Sequence, residues 1–381
     1  MQITVVRPEE LGAAEIAAWH SMQAKTESLG NPFLSPEFTL AVGHLRPGAR
    51  VAVLADGPEI VGFFPFERRR LGGGVPIAAG LTDCQGLIHA PGMEWQPRML
   101  LRACGLSAWR FDHLVTGQGP FERYQMALAP SPVIDLTHGF DAYLAALKTS
   151  SPNFCKEMRR KSHKLEREVG EIRFVADSQD VRDLRTLMTW KSDQYRRTGR
   201  SDRFRQAWIV ELLEVLLATR TDHFSSMLSV MQAGEVPIAA GLNLRSGRVL
   251  AGWFPAYDTR FGRYSPGLTL HLRETEAAAA AGVHQIDMGK GFKPYKETLK
   301  SHDDFVAEGI VTRQSLLAAA HYAQSVPTAW AIRQIRRYRP LFNACDALLR
   351  RYGQVQKTLR PLPPATGEPA ERAAAEREPI K

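Results

Sequence analysis

The feature that most constrains this chain is that it repeats itself at a fixed offset. Residues 51–66, VAVLADGPEIVGFFPF, read as strand, glycine turn and strand. Residues 228–244, LSVMQAGEVPIAAGLNL, read the same way around Ala233-Gly234. Further on, Pro91-Gly92 opens a segment that ends in Trp109-Arg110-Phe111-Asp112, and Pro266-Gly267 opens one that ends in Gln285-Ile286-Asp287. Pro91 to Pro266 and Asp112 to Asp287 are both offsets of 175 residues. Such self-similarity predicts two copies of one supersecondary unit. The first copy has His89-Ala90 where the second has Tyr264-Ser265 before its Pro-Gly, so it reads as a degenerate structural partner.

The second copy is legible in more detail. An apolar strand over 225–232 turns at Ala233-Gly234-Glu235, returns over 236–244, turns at Arg245-Ser246-Gly247 and runs out over 248–256. Connections this short permit only antiparallel pairing. A loop from Tyr257 to Tyr264 leads to a helix from Pro266 to about Ala281, with Gly282 at its stop. Short strands follow at His284–Met288 and Asp304–Val311. Helices at about 152–169, 178–198 and 206–219 precede the meander. The order predicts a mixed α/β fold with tandem, mainly antiparallel sheets, flanking helices and a C-terminal helical extension. The expected divisions are a degenerate copy over 1–130, the complete one over 131–315, a helical extension over 316–356 and a disordered tail over 357–381.

Length and composition set the class. The 381 residues, 44% hydrophobic and 23% charged, suit a globular protein of two ordinary domains or one elaborate one. No run approaches the roughly 20 apolar residues of a spanning helix. The start, MQITVVRPEELGAAEIAAW, lacks the pattern of a signal peptide, so the expected location is the cytoplasm. Cys84, Cys104, Cys155 and Cys345 have no metal-like spacing, and there is no H-E-x-x-H, so no metal is expected. A net charge of +9 favours an anionic partner such as phosphate, nucleic acid or a membrane surface. Basic and apolar residues alternate over 314–352, which permits peripheral contact with anionic membrane.

The strongest local signal is Arg263-Tyr264-Ser265-Pro266-Gly267. Ser265 stands at the expected N-cap, Pro266 at the first turn, and Gly267 leaves the backbone open. Helix N–H groups and dipole, with Arg260 and Arg263 beside them, make an anion site that would fit a pyrophosphate. The same residues also suit an ordinary capped helix.

That run lies in a longer pattern. Phe254-Pro255-Ala256-Tyr257-Asp258, then Arg263 to Gly267, then Ile286-Asp287-Met288-Gly289-Lys290-Gly291 and Tyr295-Lys296, resembles the CelD/BcsL-type acetyltransferases of the GNAT superfamily. These are associated with cellulose or exopolysaccharide biosynthesis. The resemblance extends to the basic helix at Phe154–Lys161 and to Trp190 through Arg197, covering most of 131–315. It implies an acyl-CoA-dependent N- or O-acyltransferase, with acetyl-CoA or another acyl-CoA as co-substrate and a sugar or related acceptor. It also implies that Arg263, Tyr264, Ser265, Pro266 and Gly267 hold the cofactor pyrophosphate. The single glycine departs from the commoner two-glycine signature. The superfamily architecture further implies that strands 248–256 and 284–288 splay, that the pantetheine arm lies between them, and that the thioester emerges near Phe254, Pro255 and Asp287.

Acyl transfer needs a base for the attacking amine or hydroxyl and an acid for the leaving thiolate. Asp287, at the end of an apolar strand, is a candidate base or substrate orienter, or equally a turn aspartate. The resemblance includes Tyr295 and Lys296, which could donate a proton and stabilise developing charge. Lys156, Arg160, Lys164 and Arg167 form one positive stripe on the 152–169 helix, opposite Phe154, Met158, Leu165 and Val169. The stripe is either a solvated face or a surface for an anionic acceptor. Two other functions stay open: a Fem-like transferase using aminoacyl-tRNA, and a non-catalytic anion-binding or assembly protein.

Overall fold

The computed structural model describes residues 1–313. The predicted helical extension at 316–356 and tail at 357–381 lie outside the described residues, as does Cys345. In chain order the first copy contains β1 (Gln2–Val6), α1 (Ala13–Lys25), α2 (Pro36–Leu45), β2 (Ala49–Asp56), β3 (Glu59–Arg68), β4 (Gly73–Pro76) and β5 (Ile88–His89). It continues through α3 (Pro97–Ala103), β6 (Ala108–Val115), α4 (Gly119–Glu122) and β7 (Gln125–Asp135). Then come α5 (Gly139–Ser150), α6 (Pro152–Glu168), β8 (Ile172–Val175), α7 (Val181–Arg197), α8 (Ala207–Ala218), β9 (Phe224–Ala233), β10 (Val236–Ser246) and β11 (Val249–Tyr257). The chain then forms α9 (Pro266–Ala280), β12 (Gln285–Asp287), α10 (Pro294–Leu299) and β13 (His302–Thr312).

All of the strands belong to one 13-stranded sheet, ordered β1-β2-β3-β4-β6-β13-β7-β12-β11-β10-β9-β8, with β5 against β3. The duplication is written in this order. β2, β3 and β4 pair antiparallel and β4 pairs β6 in parallel. In the second copy, β9, β10 and β11 pair antiparallel and β11 pairs β12 in parallel. Asp112 and Asp287 therefore sit on equivalent strands, β6 and β12. Their Pro-Gly companions are not equivalent. Pro266 opens α9, whereas Pro91-Gly92 forms a turn, with Gly92 at φ 77°, and the short first-copy helix α3 starts at Pro97.

The final strands of the two copies are exchanged. β13, from the second copy, lies between β6 and β7 and pairs antiparallel with both. β7, which runs across the expected boundary at residue 130 and ends the first run of strands, pairs with β12 through Val133, Ile134 and Asp135. Each copy thus completes the other's sheet, which leaves neither parallel strand β6 nor β12 with a bare edge.

Side-chain alternation decides which helices cover which face. Ala240, Leu242, Leu244, Ala251 and Trp253 face a core built with α7 and α8. Leu184, Leu187, Leu212 and Leu216 on those helices share that core with Trp19, Phe33 and Phe38 of the first copy. On the opposite face Ile238, Ala239 and Leu250 meet α9 through Leu270 and Ala278. Trp253 joins the copies directly: its ring packs edge-on against Phe33 at 5.4 Å, and its indole N–H donates to Leu81 O at 3.0 Å.

Gly309 is the tightest point of the exchanged strand. A Cβ there would sit 2.6 Å from the Phe111 ring and closer still to the Tyr124 carbonyl. We expect Gly309→Ala to cost about 1–3 kcal/mol, read as a lower urea midpoint; an unchanged midpoint would show that β13 is not tightly seated.

Candidate active site

The site begins where two parallel strands part. β11 pairs with β12 only over Val249–Ala251, because β12 ends at Asp287 while β11 continues to Tyr257. From Gly252 onward β11 has a free edge on that side. A cavity of about 440 Å³ fills the opening. Gly252, Phe254 and Pro255 of β11 line it, with Met288 and Lys290 beyond β12. The flanking helices contribute from both faces: Lys191 and Tyr195 on α7, His271 and Glu274 on α9, Tyr295 and Lys296 on α10. Leu81 and Asp83 close it from the first copy. The splay read from the sequence is present, and Phe254 and Pro255 lie along it.

Asp287 is placed differently from the expectation. It is buried but does not line the cavity. Its Oδ1 accepts from the Ser131 hydroxyl at 2.7 Å and the Gly289 N–H at 2.8 Å, and its Oδ2 accepts from Asn31 Nδ2 at 3.0 Å. Burial raises its pKa, against the hydrogen bonds from Ser131 and Gly289. A carboxylate with three donors around it is a junction. It ties β12 to β7 through Ser131 and to the first copy through Asn31.

Two carboxylates do line the cavity, Asp83 and Glu274, and sequence reasoning missed both; Asp83 comes from the first copy. Its Oδ1 lies 3.5 Å from His113 Nε2, and the other ring nitrogen of His113 lies 3.0 Å from Asp112. Burial raises the Asp83 pKa; His113 opposes this, and Asp287 adds to it. Gly289, at φ 76°, brings the backbone so close that a Cβ would sit 2.9 Å from Asp83 Oδ2. Only a glycine serves there, for conformation and for space. Its partner His113 lies in the same copy, but Gly289, Asp287 and Lys296 reach it from across the copy boundary, so no local pattern marks it as a cavity residue.

Tyr295 and Lys296 both reach the cavity. The Tyr295 ring stacks on His271 at 5.2 Å, and burial, helped by Glu274, pushes its hydroxyl up to about 12. The buried Lys296 ammonium donates to Gly289 O at 2.7 Å. Burial lowers its pKa while Asp83 and Asp287 hold it up. Behind Tyr295 lies a second pair that the sequence reading missed. Glu274 is buried, accepts from Asn243 Nδ2 at 2.9 Å and lies 3.2 Å from His271 Nδ1. A Cβ on Gly241 would collide with its Oε1. The His271/Glu274 spacing on the inner face of α9 was the available signal.

The segment expected to hold the cofactor stands beyond the open end of the cleft. Tyr257, the last residue of β11, packs over Gly267, whose added Cβ would lie 3.3 Å from the ring. The cleft edge and the start of α9 are therefore continuous. Ser265 departs from the expectation: it adopts the left-handed conformation (φ 55°, ψ 49°) and its hydroxyl caps no N–H. The chain reverses there between a 3₁₀ turn and α9, which an extended N-cap could not do. The hydroxyl instead accepts from Lys161 Nζ at 2.8 Å. Arg260 is paired with Asp258 at 2.6 Å and Arg263 with Glu168 at 3.2 Å. Tyr264 is buried, and its hydroxyl donates to Glu168 at 2.6 Å.

The basic stripe lies elsewhere. Lys156, Arg160 and Lys164 are on α6, none lines the cavity, and Lys164 pairs with Glu168 at 3.7 Å. Their helix contributes Lys161 to the start of α9 instead. Among the described residues no group of His, Cys, Asp and Glu is arranged to hold a metal ion, and no helix is long and apolar enough to cross a membrane.

Comparison with known proteins agrees with this geometry. A family model described as an acetyltransferase (GNAT) domain matches residues 152–297, from the start of α6 into α10. No curated protein matches the chain. Among solved structures the chain is similar to FemX, at 10% identity over 81% of this chain and 96% of that one, with a TM-score of 0.52. It is similar to a conserved protein of unknown function from Bacteroides thetaiotaomicron, at 10% identity over 81% and 100%, with a TM-score of 0.50. A tandem GNAT protein from the clavulanic acid biosynthesis pathway aligns at 9% identity over 82% and 98%, with a TM-score of 0.49. At such identities the first two show a shared fold and nothing of substrate.

Asp287→Asn would turn an amide donor toward at least one of three donors. We expect a loss of about 1–3 kcal/mol in urea unfolding with any residual activity keeping its pH profile. Full stability in the variant would count against the junction role.

Proposed function

With a GNAT-type acetyltransferase domain at residues 152–297 as the premise, we propose that the chain moves an acyl group, acetyl first, from acyl-CoA to an amine or hydroxyl. The observation that carries this is the splay at Gly252. It leaves a cavity of about 440 Å³ and a β-edge that continues to Tyr257, which packs on Gly267 at the start of α9. An extended amide-bearing arm can pair with such an edge as an added strand does. The residues fit the cofactor: the edge over Gly252–Tyr257 would take the arm. The backbone at Pro266 and Gly267, with Lys161 beside it, would take the phosphates. Arg260 and Arg263 would have to leave Asp258 and Glu168 to add their charge.

Acyl-CoA bound there supplies an activated thioester carbonyl. The chain's own groups then divide the proton work. Asp83, a cavity-lining carboxylate, accepts the proton of the attacking group, and His113 holds its orientation. Tyr295, protonated well past neutral pH, can donate one to the leaving group. Lys296 keeps positive charge between Asp83 and Asp287. Asp287 sets the backbone at Gly289 and takes no proton. The resemblance to CelD/BcsL-type enzymes supports a saccharide acceptor in exopolysaccharide or cellulose synthesis.

Calorimetric titration should show acetyl-CoA binding, and Gly267→Glu should weaken it at least tenfold. Absence of binding at millimolar acetyl-CoA, or binding of charged tRNA in its place, would sink the reading. The pH profile gives an independent check. A base acts when deprotonated, and burial raises the Asp83 pKa. The kcat/KM should therefore fall on the acid side with an apparent pKa above the ordinary carboxylate range. Asp83→Asn should remove that limb and most of the rate.

A further inference from the structure

Four cations stand around the cavity without a part in the transfer just described. Lys191 comes from α7, Arg200 and Arg203 from the turns that follow it, and Lys293 from the loop before α10; all four line the cavity. Among the described residues, none has a carboxylate within 4.0 Å. Lys191 Nζ donates to Pro255 O at 2.9 Å, and Arg203 donates to Gly80 O. The carboxylates nearby are committed elsewhere. Asp83 faces His113, Glu274 faces Asn243 and His271, and Asp202 accepts from the Ser192 hydroxyl and the Phe204 N–H.

Gathering like charges has a cost. Burial pushes the Lys191 amine down to about 8, and Lys293, Arg200, Arg203 and Lys296 all add to the shift. Lys293 is also lowered, by burial and then by Arg200. Free side chains on flexible stems would spread apart into solvent. Groups that converge on one cavity from two sides, none of them within 4.0 Å of the Asp83 and Glu274 carboxylates that also line it, form an anion site.

The cluster is also in the wrong place for the cofactor's phosphates. α7 covers the face of the sheet opposite to α9, so the start of α9 and the Lys191 side of the cavity lie on different faces. We propose that Lys191, Arg200, Arg203 and Lys293 bind a phosphate or pyrophosphate group on the acceptor, separately from the cofactor. Its role as the acceptor's anchor rests on the acyl-transfer reading; the anion site itself does not. An acceptor held there by its phosphate would point its nucleophile inward, toward Asp83.

The test uses the full chain and inorganic pyrophosphate, titrated calorimetrically with and without saturating CoA. Arg200 and Lys293 are exposed, so the Arg200→Ala/Lys293→Ala double variant should fold. Pyrophosphate should bind the wild-type protein even with CoA present. The double variant should bind it at least tenfold more weakly and keep its acetyl-CoA affinity. Lys156→Ala/Arg160→Ala, on α6, should change neither. Equal pyrophosphate affinity in the wild-type protein and the double variant would overturn the site. So would displacement of pyrophosphate by CoA, together with weaker acetyl-CoA binding in that variant, since the cations would then serve the cofactor. If the wild-type protein fails to bind CoA at all, the acyl-transfer reading falls. The pyrophosphate comparison still decides the anion site.

Discussion

The exchange of final strands between the two copies governs everything else in this molecule. A parallel strand at the edge of a sheet exposes a row of unpaired backbone groups. β6 and β12 would each be such an edge if their copies stood alone. Because β13 crosses to β6 and β7 crosses to β12, the backbone hydrogen bonding of each copy is completed by the other. Neither half of the sheet is closed without its partner. A chain built this way cannot let either half drift, since each holds up the other.

The crossed strands also explain where the site is. β7 fixes one side of β12, so β12 cannot follow β11 along its whole length. β11 continues past Ala251 alone, and the opening between them becomes the cleft. The same crossing brings Asn31 to Asp287, and Asp83 to the cleft side of Gly289. The first copy lacks the Arg263–Gly267 run of the second. It nonetheless contributes a cavity carboxylate, the carbonyl that holds Trp253, and the aromatic wall of Phe33. Duplication followed by division of labour accounts for both observations: one copy kept the cleft, and the other became part of its wall.

Charge is arranged about the cavity with the same asymmetry. Around the start of α9, cations are matched by acids: Arg263 by Glu168, Arg260 by Asp258, Lys161 by Glu157. Such pairs can open for a stronger anion at small cost, since ion pairs with a solvent-exposed partner contribute little. On the other face, Lys191 and its neighbours have no matching acids. One end is balanced at rest and the other is not, which suits two anions that arrive separately.

By itself the sequence determined the secondary elements of the second copy, the duplication and the acyltransferase character. These depend on local periodicity, turn residues and a run of motifs in order. Alternating apolar residues over 225–256 dictate a meander wherever it is placed, and Asp112 and Asp287 do occupy equivalent strands. Ser265 stands at the N-cap as its position predicts, but its left-handed backbone and the turn of its hydroxyl to Lys161 are features that residue type does not reveal. Asp287, an acid ending an apolar strand, is conspicuous in one dimension as either a base or a turn aspartate. Its three donors lie at positions 31, 131 and 289 and meet only in three. Asp83 and His113, both of the first copy, meet Gly289 only where the two copies pack together, and Lys191 and Lys293, a hundred positions apart, meet only across the cleft. Local sequence could specify each element, but tertiary packing decided which side chains share a cavity, because contact between distant residues is a property of topology.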